Sequence, residues 1–273
     1  MAVHAPPSDL AAALAEARPR LGPFADVRYY TDVASTNDLA MQMATRGLAE
    51  GTSVVADSQH AGRGRRGRVW FSPPGAGLYL STIVRPRGHA AALPLVTLAA
   101  GVAVARAIDG ATRLPVELKW PNDIVSGRPW RKLGGVLCES VGVGATVDAV
   151  VVGIGLNLQP AAYPIDIAER ATSLETELGR PIDRTPLIVE LLLSLAHVIR
   201  RLWDGDLVWV CDEWRRFGRA GLGGGAVRWT EQGEDRRGVA RDIDETGALV
   251  VDASGRRQRL VAGEVLWERL GRD

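Results

Sequence analysis

Short apolar runs separated by Gly, Pro, Asn and Asp dominate the first two thirds of the chain, and most have the length and alternation typical of β-strands. The runs predict strands at Val27–Tyr30, Thr52–Asp57, Leu78–Val84, Val116–Lys119, Ile124–Ser126, Lys132–Glu139 and Val147–Leu156. We expect the fifth and sixth of these strands to pair as a β-hairpin across Gly127–Trp130. The pattern therefore predicts a sheet of several strands.

Helical periodicity is limited to a few segments around these strands. Helices are expected at Ser8–Ala17, from Ser35 or Thr36 to a stop at Gly47, at Leu93–Ile108, from Thr185 and Pro186 to about Trp203, and from about Asp206 to Phe217. The segment rich in Ala, Leu and Val at Leu93–Ile108 predicts a buried helix. Ser35 or Thr36 is expected to cap one helix, and Thr185 with Pro186 to cap and begin another.

The pattern changes after the glycine run Gly221–Gly225, which predicts a flexible linker. Short β runs follow, separated by turns that contain Gly or Asp. They lie at Val227–Trp229, Gly238–Ile243, Ala248–Val251, Arg257–Val261 and Val265–Trp267. This spacing predicts a small barrel of about fifty residues. We therefore divide the chain into residues 1–220 and residues 221–273.

Charge and composition exclude several classes of protein. The 273 residues carry a formal net charge of +1, which gives no general attraction to DNA or to a membrane surface. We expect no apolar run long enough to span a bilayer, and the first residues lack a basic region followed by an apolar one. Cys138 and Cys211 are isolated, and the histidines lack the spacing of metal ligands. A cytoplasmic protein is expected.

The most distinctive chemistry lies in Gly62–Arg68, the arginine loop, which consists only of glycines and arginines. Arginine matches carboxylate or phosphate oxygens two at a time, and glycine lets a backbone approach a ligand closely. Ordering a loop costs roughly 1–2 kcal/mol per residue, while a charge-assisted hydrogen bond returns about 1.5–3 kcal/mol. We expect the arginine loop to be loose when empty and to order around an anion, with a solvated basic turn as the alternative. Its G-x-G-x-x-G spacing is followed by no helix, so a dinucleotide fold is disfavoured.

Other polar residues stand at the ends of predicted elements, where each has two interpretations. Ser35–Asn37 begin a helix and either cap it or bind a polar or anionic group there. Asn122 and Asp123 follow a proline as a common turn, or as a carboxylate site suited to Mg²⁺. Lys132 is either solvated or close to a ligand, because the glycines after it allow close backbone approach. Asn157 lies at the tip of a strongly apolar strand.

These motifs occur in a definite order. They are S-T-N at 35–37, Q-x-A-G-R-G-R-x-G from Gln59, K-W-P-N-D at 119–123, R-K-x-x-G from Arg131 and G-x-G-x-N ending at Asn157. The combination closely resembles bacterial biotin protein ligases, also called biotin–[acetyl-CoA-carboxylase] ligases, strongly over about Val27 to Pro160 and more weakly beyond. The resemblance implies an α+β fold: a mixed β-sheet flanked by helices, similar to class II aminoacyl-tRNA synthetases, then an SH3-like barrel. About thirty residues precede Ser35, so we expect the form without an N-terminal DNA-binding domain.

The same resemblance assigns roles to individual residues. Biotin would be held on its ureido ring by Ser35, Thr36, Asn37 and Gln59, and on its carboxylate by Arg63, Gly64, Arg65 and Lys132. The adenylate would be bound by Arg65, Arg68, Trp70, Asn122, Asp123, Lys132 and Asn157. Lys132, Arg65 and Arg63 would be catalytic, and Asp123 would serve Mg²⁺. Gly134 stands where other members have alanine, which we expect to be tolerated.

The activity implied is the use of ATP and Mg²⁺ to convert biotin to biotinyl-5′-AMP, followed by biotin transfer to a lysine of the biotin carboxyl carrier protein of acetyl-CoA carboxylase. The chemistry agrees with the cations present, because a carboxylate must attack a phosphate and both are anions. A lipoate–protein ligase is the nearest alternative, and a non-catalytic nucleic-acid-binding protein is the alternative of another class, which the neutral net charge disfavours. A monomer or weak homodimer without DNA or membrane partners is expected.

Overall fold

A seven-stranded mixed sheet forms the centre of the larger part of the molecule, with the strand order β1-β2-β3-β7-β6-β5-β4. The computed structural model describes residues 3–87, 90–127, 129–143, 146–231, 233–261, 263 and 265–268. The strands are β1 Val27–Val33, β2 Ser53–Gln59, β3 Gly77–Val84, β4 Glu117–Lys119, β5 Asp123–Ser126, β6 Arg131–Val143 and β7 Thr146–Asn157. Strands β1 and β2 pair in parallel, and the other neighbours pair antiparallel. The predicted mixed sheet is confirmed.

Helices cover this sheet and supply most of the remaining core. They are α1 Ser8–Leu21, α2 Thr36–Thr45, α3 Val96–Thr112, α4 Ile165–Ala168, α5 Leu174–Leu178, α6 Arg184–Trp203, α7 Leu207–Phe217 and α8 Arg219–Leu222. Helix α2 begins where predicted, because Ser35 Oγ accepts a hydrogen bond from the Asp38 N–H at 3.3 Å. The other flank is formed by α3 and α6, which pack on each other.

The most apolar segment of the chain is longer than expected. Ala91–Thr112 is long and apolar enough to cross a bilayer, with a mean hydropathy of 1.9, so the expectation that no such run exists is wrong. However, 72% of this apolar window is buried inside the fold, where α3 contacts α6, α7 and β6. A helix that is apolar on all sides is typical of the buried core of a domain as well as of a membrane, and its packing here identifies it as a core helix.

Helix α6 is capped by a residue other than the predicted one. Asp183 is the N-cap, and its Oδ1 accepts a hydrogen bond from the Thr185 N–H at 2.9 Å. Thr185 lies inside the helix, and its hydroxyl donates to Asp9 Oδ2 at 2.6 Å. The prediction that Thr185 and Pro186 cap the helix is therefore wrong, because the helix begins one residue earlier, at Arg184, and the Asp183 carboxylate satisfies an unpaired N–H of its first turn.

The C-terminal residues form a five-stranded antiparallel sheet in the order β11-β10-β9-β8-β12. Its strands are β8 Ala226–Glu231, β9 Glu234–Ile243, β10 Leu249–Ala253, β11 Arg256–Leu260 and β12 Val265–Trp267. Within the residues described, β11 and β12 are the two edges of this sheet. The arrangement is consistent with an SH3-like fold, but the closed barrel that we predicted is not observed there.

The C-terminal sheet packs directly on the larger part of the molecule. Trp120 Nε1 donates to the Gly247 carbonyl at 2.9 Å, and Trp267 Nε1 donates to the Trp120 carbonyl at 3.3 Å. A Cβ added to Gly221 would lie 2.8 Å from the Trp267 ring. The first residue of the predicted flexible linker therefore lies in a helical turn packed against an indole, where a side chain has no room. The division between residues 220 and 221 stays a prediction.

Burial makes the cysteines poor nucleophiles, which gives a simple test of the packing. Cys211 is buried and its Sγ lies 3.7 Å from the Asp244 carbonyl. Burial raises the pKa of the Cys211 thiol to about 11, and the thiolate is the reactive species. At pH 8 we expect iodoacetamide to label Cys211 on the order of 100-fold more slowly in the folded protein than in urea. Mass spectrometry measures this ratio, and equal rates would contradict the packing.

Candidate active site

One cleft of about 840 Å³ runs across the sheet, between the N-terminus of α2 and the turn that joins β4 to β5. The site residues predicted from the sequence all line it: Ser35, Thr36, Asn37, Gln59, Arg63, Gly64, Arg65, Arg68, Trp70, Asn122, Asp123, Lys132 and Asn157. They come from α2, the end of β2, the arginine loop, and strands β5, β6 and β7. The fold therefore gathers residues that are up to about 120 positions apart in the sequence. Their individual roles stay predictions.

One end of the cleft is neutral and rich in hydrogen-bonding groups. Gln59 Oε1 accepts hydrogen bonds from the Thr36 N–H at 2.8 Å and from the Thr36 hydroxyl at 3.1 Å. Ser81 Oγ lies 2.9 Å from Thr36 Oγ1 and 3.0 Å from Asn37 Oδ1. Thr36, Asn37 and Ser81 are buried, so their polar atoms are held in place by one another. Such a preorganised set suits a small neutral ligand group that both donates and accepts.

A glycine in β7 makes room for the amide of this neutral end. A Cβ added to Gly153 would lie 2.4 Å from Asn37 Oδ1 and 3.2 Å from the Leu137 carbonyl. The strand therefore passes Asn37 at a distance that only glycine allows. On its other side, Asn37 Nδ2 donates to Glu139 Oε2 at 2.5 Å. Both ends of the amide are thus engaged by the protein.

The arginine loop folds over the cleft and is closed by its own backbone. The Gly64 N–H donates to the Arg68 carbonyl at 2.7 Å, and the Trp70 N–H donates to the Gly62 carbonyl at 2.9 Å. The chain turns at Arg66 and Gly67, which have φ values of 57° and 72°. That the arginine loop orders around a bound anion stays a prediction, but one of its arginines already contacts an anionic side chain of the protein. The Arg63 guanidinium donates to both Glu139 oxygens, at 2.9 and 2.5 Å.

The other end of the cleft is cationic. Asp123 lies between two ammonium groups, with Lys132 Nζ 2.6 Å from Oδ1 and Lys119 Nζ 3.7 Å from Oδ2. Arg65 Nη1 donates to Asn122 Oδ1 at 3.0 Å. Burial, followed by repulsion from Arg66, lowers the pKa of Arg65, and burial also lowers the pKa of Lys119. Three cations facing a single carboxylate give this end a positive field, which suits phosphate oxygens.

Trp70 and Asn157 shape the floor of the cleft between these two ends. A Cβ added to Gly155 would lie 2.4 Å from the Trp70 indole, so the ring rests directly on β7. Lys132 Nζ lies 5.4 Å from the centre of the same ring. Asn157 Nδ2 donates to the Thr172 carbonyl at 2.9 Å and to the Lys132 carbonyl at 3.4 Å. Asn157 therefore fixes the backbone from which Lys132 projects.

Sequence reasoning missed several residues that the fold brings to the cleft or beside it. Ser81, Lys119, Arg170 and three C-terminal residues, Gly263, Val265 and Leu266, line it, and Glu139 borders it through Arg63. A signal existed for Ser81, a hydroxyl inside an apolar strand, and for Lys119, the first residue of K-W-P-N-D. Arg170 lies beside Lys132 because the Lys132 N–H donates to the Arg170 carbonyl at 2.6 Å. Only tertiary packing reveals Glu139, Arg170 and the C-terminal residues.

The carboxylates near the cationic end decide whether a divalent metal fits there. No group of three or more His, Cys, Asp or Glu side chains suited to a metal occurs in the part of the chain that the structure describes. Asp123 and Asn122 stand together at the cationic end and offer one carboxylate and one amide. Mg²⁺ is commonly held by one or two carboxylates together with substrate phosphates. The donor set therefore fits a magnesium ion that arrives with a nucleotide, and does not form a protein-built metal cage.

Comparison with known proteins places the chain in a family. Residues 29–157 match the model of the biotin/lipoate A/B protein ligase family, and residues 223–266 match the biotin protein ligase C-terminal domain. A biotin–[acetyl-CoA-carboxylase] ligase of Paracoccus denitrificans is 34% identical over 85% of this chain and 97% of its own length. The bifunctional ligase/repressor BirA of Bacillus subtilis is 33% identical over 87% of this chain and 72% of its own length.

The solved structures agree with this placement. A biotin protein ligase from Aquifex aeolicus in complex with biotin and ATP is similar with a TM-score of 0.75 and 27% identity, over 89% of this chain and 99% of that chain. A biotin protein ligase from Leishmania major in complex with biotinyl-5-AMP is similar with a TM-score of 0.61 and 27% identity, over 87% of this chain and 99% of that chain. The chain belongs to the biotin protein ligase family, as its motifs suggested.

Proposed function

We propose that this protein joins biotin to ATP as biotinyl-5′-AMP and then transfers the biotin to a lysine of a biotin carboxyl carrier protein. The observation that carries the proposal is the division of one cleft into a neutral polar end and a cationic end. The ureido ring of biotin both donates and accepts hydrogen bonds, which suits Thr36, Asn37 and Gln59, with Ser35 at the same helix end. The carboxylate and the phosphates suit Arg65 and Lys132 at the other end.

In the first step a biotin carboxylate oxygen attacks the α-phosphorus of ATP. The new O–P bond forms as the bond from that phosphorus to the leaving diphosphate breaks. We assign to Lys132 the neutralisation of charge on the carboxylate and the α-phosphate, and to Arg65 the neutralisation of charge on the phosphate. Arg68, Trp70, Asn122 and Asn157 would complete the nucleotide side. Arg63 and Gly64 supply loop backbone around the carboxylate, and Arg63 reaches an incoming anion only by leaving its own acidic partners.

Magnesium would bind at Asp123 and Asn122 together with the nucleotide, where it neutralises phosphate charge. Before ATP binds, Asp123 holds the Lys132 ammonium 2.6 Å away. This contact keeps Lys132 inside the cleft, next to the Trp70 ring. The protein's side chains therefore hold the biotin carboxylate and the ATP phosphates together. They also exclude water, because the mixed anhydride that forms hydrolyses readily.

In the second step the acceptor amine attacks the acyl carbon of the anhydride, and the bond to AMP breaks. The amine must first lose a proton, against a reference pKa of about 10.4. We propose Asp123 as the carboxylate that assists this proton loss. The acceptor that we propose is the carrier protein of acetyl-CoA carboxylase, in agreement with the name of the Paracoccus relative. We further propose that the enzyme acts in the cytoplasm, as a monomer or weak homodimer, without binding DNA or membranes.

The experiment that tests this function is ATP–diphosphate exchange with a set of carboxylic acids. We expect exchange with biotin and none above background with lipoate or octanoate, because the neutral end presents an amide and hydroxyls rather than an apolar pocket. Exchange with lipoate instead of biotin would replace the proposal by its nearest alternative. The absence of exchange with any acid, in a folded and magnesium-supplied protein, would refute it.

A change at Gly153 tests the neutral end separately. In Gly153→Ala the new Cβ would press on Asn37 Oδ1, so we expect the KM for biotin to rise by about 10- to 100-fold, as for loss of a buried hydrogen bond. The KM for ATP should change far less, because the cationic end is untouched. Gly110→Ala is the matched control, since the atom nearest its Cβ is Glu190 Oε2 at 3.7 Å. Equal KM values for biotin in the two variants would contradict this arrangement.

A further inference from the structure

Glu139 contacts two residues of the cleft, Arg63 and Asn37, and no role has yet been assigned to it. It lies in β6, near the neutral end, and its two oxygens accept hydrogen bonds from Arg63 Nη1 at 2.9 Å and Nη2 at 2.5 Å. The same Oε2 accepts from Asn37 Nδ2 at 2.5 Å. A second carboxylate, Asp38 of α2, lies 2.6 Å from Arg63 Nη2. One side chain thus joins the arginine loop to a residue of the proposed biotin pocket.

The geometry makes this pair stronger than an ordinary surface ion pair. The contact is bidentate, and the Glu139 side chain is 27% exposed, against 45% for Asp38. Arg63 and Glu139 are 76 residues apart in the sequence, so their ion pair ties the arginine loop, which contains three glycines, to a distant strand. At its other end the arginine loop is held by a hydrogen bond from Arg65 to the neutral amide of Asn122, and the single nearby carboxylate, Asp123, is paired with Lys132 and Lys119. The arginine loop is therefore anchored by the Arg63–Glu139 ion pair beside Asn37. Its other side, at the cationic end of the cleft, remains able to respond to a phosphate.

We propose that Glu139 is a positioning residue that anchors the arginine loop and the Asn37 amide to β6 as one unit. It touches neither reacting atom. Its consequence for catalysis rests on the proposed function: an anchored loop keeps biotinyl-5′-AMP enclosed until the acceptor lysine arrives. When the anchor is lost the loop opens more often, and the anhydride escapes to be cleaved by water to biotin and AMP, or by any nearby amine.

The variant Glu139→Gln keeps the shape of the side chain and removes its charge. In the ligand-free enzyme we expect hydrogen exchange of residues 62–70 to accelerate by about 10- to 100-fold, as for loss of charge-assisted hydrogen bonds. Ser140→Ala is the matched control, because Ser140 is the exposed neighbour on the same strand. Asp38→Asn leaves the bidentate pair intact, and its exchange should lie close to that of the wild type. Unchanged exchange in Glu139→Gln would overturn the proposal.

Turnover gives a second readout that a merely structural role would not produce. With biotin and ATP, we expect the lifetime of enzyme-bound biotinyl-5′-AMP to fall by about 10- to 100-fold in Glu139→Gln and the KM for biotin to rise, while kcat for its formation changes little. Arg63→Gln should reproduce the shortened lifetime, and the double variant should be no worse than either single one. Additive losses would overturn a shared anchor.

The anchor and the proposed function fail separately. If the wild type forms no biotinyl-5′-AMP, the proposed function fails, but the exchange of residues 62–70 in the ligand-free protein still decides whether Glu139 anchors the loop. If Glu139→Gln does not fold, Arg63→Gln tests the same contact from the loop side and leaves β6 intact. Exchange in Arg63→Gln equal to that in the wild type would then refute the anchor.

Discussion

Lys132→Ala is expected to slow adenylate formation by about 100- to 1,000-fold, the usual cost of removing one preorganised charge at a developing anion. Lys132 Nζ lies between the Asp123 carboxylate and the Trp70 ring, where the two anionic reactants are expected to meet. The free energy of unfolding should change by no more than about 1 kcal/mol, because the lysine is partly exposed and such pairs contribute little to stability. Diphosphate exchange and thermal unfolding measure the two effects.

The neighbouring residue supplies a close control for this variant. Arg131 pairs with Glu177 at 2.6 Å, and its side chain is 40% exposed, against 39% for Lys132. Arg131 does not line the cleft. We therefore expect Arg131→Ala to keep most of the exchange activity while losing an ion pair whose basic side chain is equally exposed. If both variants lost activity and stability equally, Lys132 would have no special place in the reaction.

Arg65→Ala is expected to reduce adenylate formation by about 100-fold, and to weaken the hold on the product as well. Arg65 is half-buried and donates to a neutral amide, so its charge is not cancelled by a direct carboxylate partner. Burial and the nearby Arg66 lower its pKa, yet arginine stays protonated at neutral pH, and this charge is available to a phosphate.

The other arginines of the arginine loop are unsuitable controls for Arg65→Ala, so an exposed arginine outside the loop is used as the control. Arg180 makes only a 3.5 Å contact to the Pro181 carbonyl among the contacts described, and it lies outside the cleft. Arg180→Ala should leave diphosphate exchange and the lifetime of the bound adenylate unchanged. If Arg65→Ala behaved like Arg180→Ala, the cationic end would owe its function to other residues.

Motifs predicted the cleft well because each one lies where a strand or helix ends. Strand periodicity places Gln59, Asp123, Lys132 and Asn157 at the ends of β2, β5, β6 and β7, and the sheet order then brings these ends to one cleft. Local chemistry was equally informative at Ser35, since a hydroxyl before a helical segment predicts a cap. These inferences required only neighbours in the sequence.

What could not be predicted depends on contacts between distant residues. Glu139 has the sequence context of a strand residue, and its partner Arg63 lies 76 residues earlier. The glycines at 221 and 225 are typical of a flexible linker until the Trp267 ring is found against both of them. By contrast, the composition of Leu93–Ile108 was enough to predict a buried helix, and what it did not show is the length of the apolar run, which extends over 91–112. Charge pairing and packing of this kind are set by the tertiary fold.

The most direct test of the proposed function is the transfer of radiolabelled biotin to a purified carboxyl-carrier domain in the presence of ATP and Mg²⁺. We expect one label per acceptor, on a single lysine, and no label when that lysine is replaced by arginine or when ATP is omitted. Label on the acceptor with lipoate in place of biotin, or no label on an acceptor that another biotin protein ligase modifies, would contradict the account.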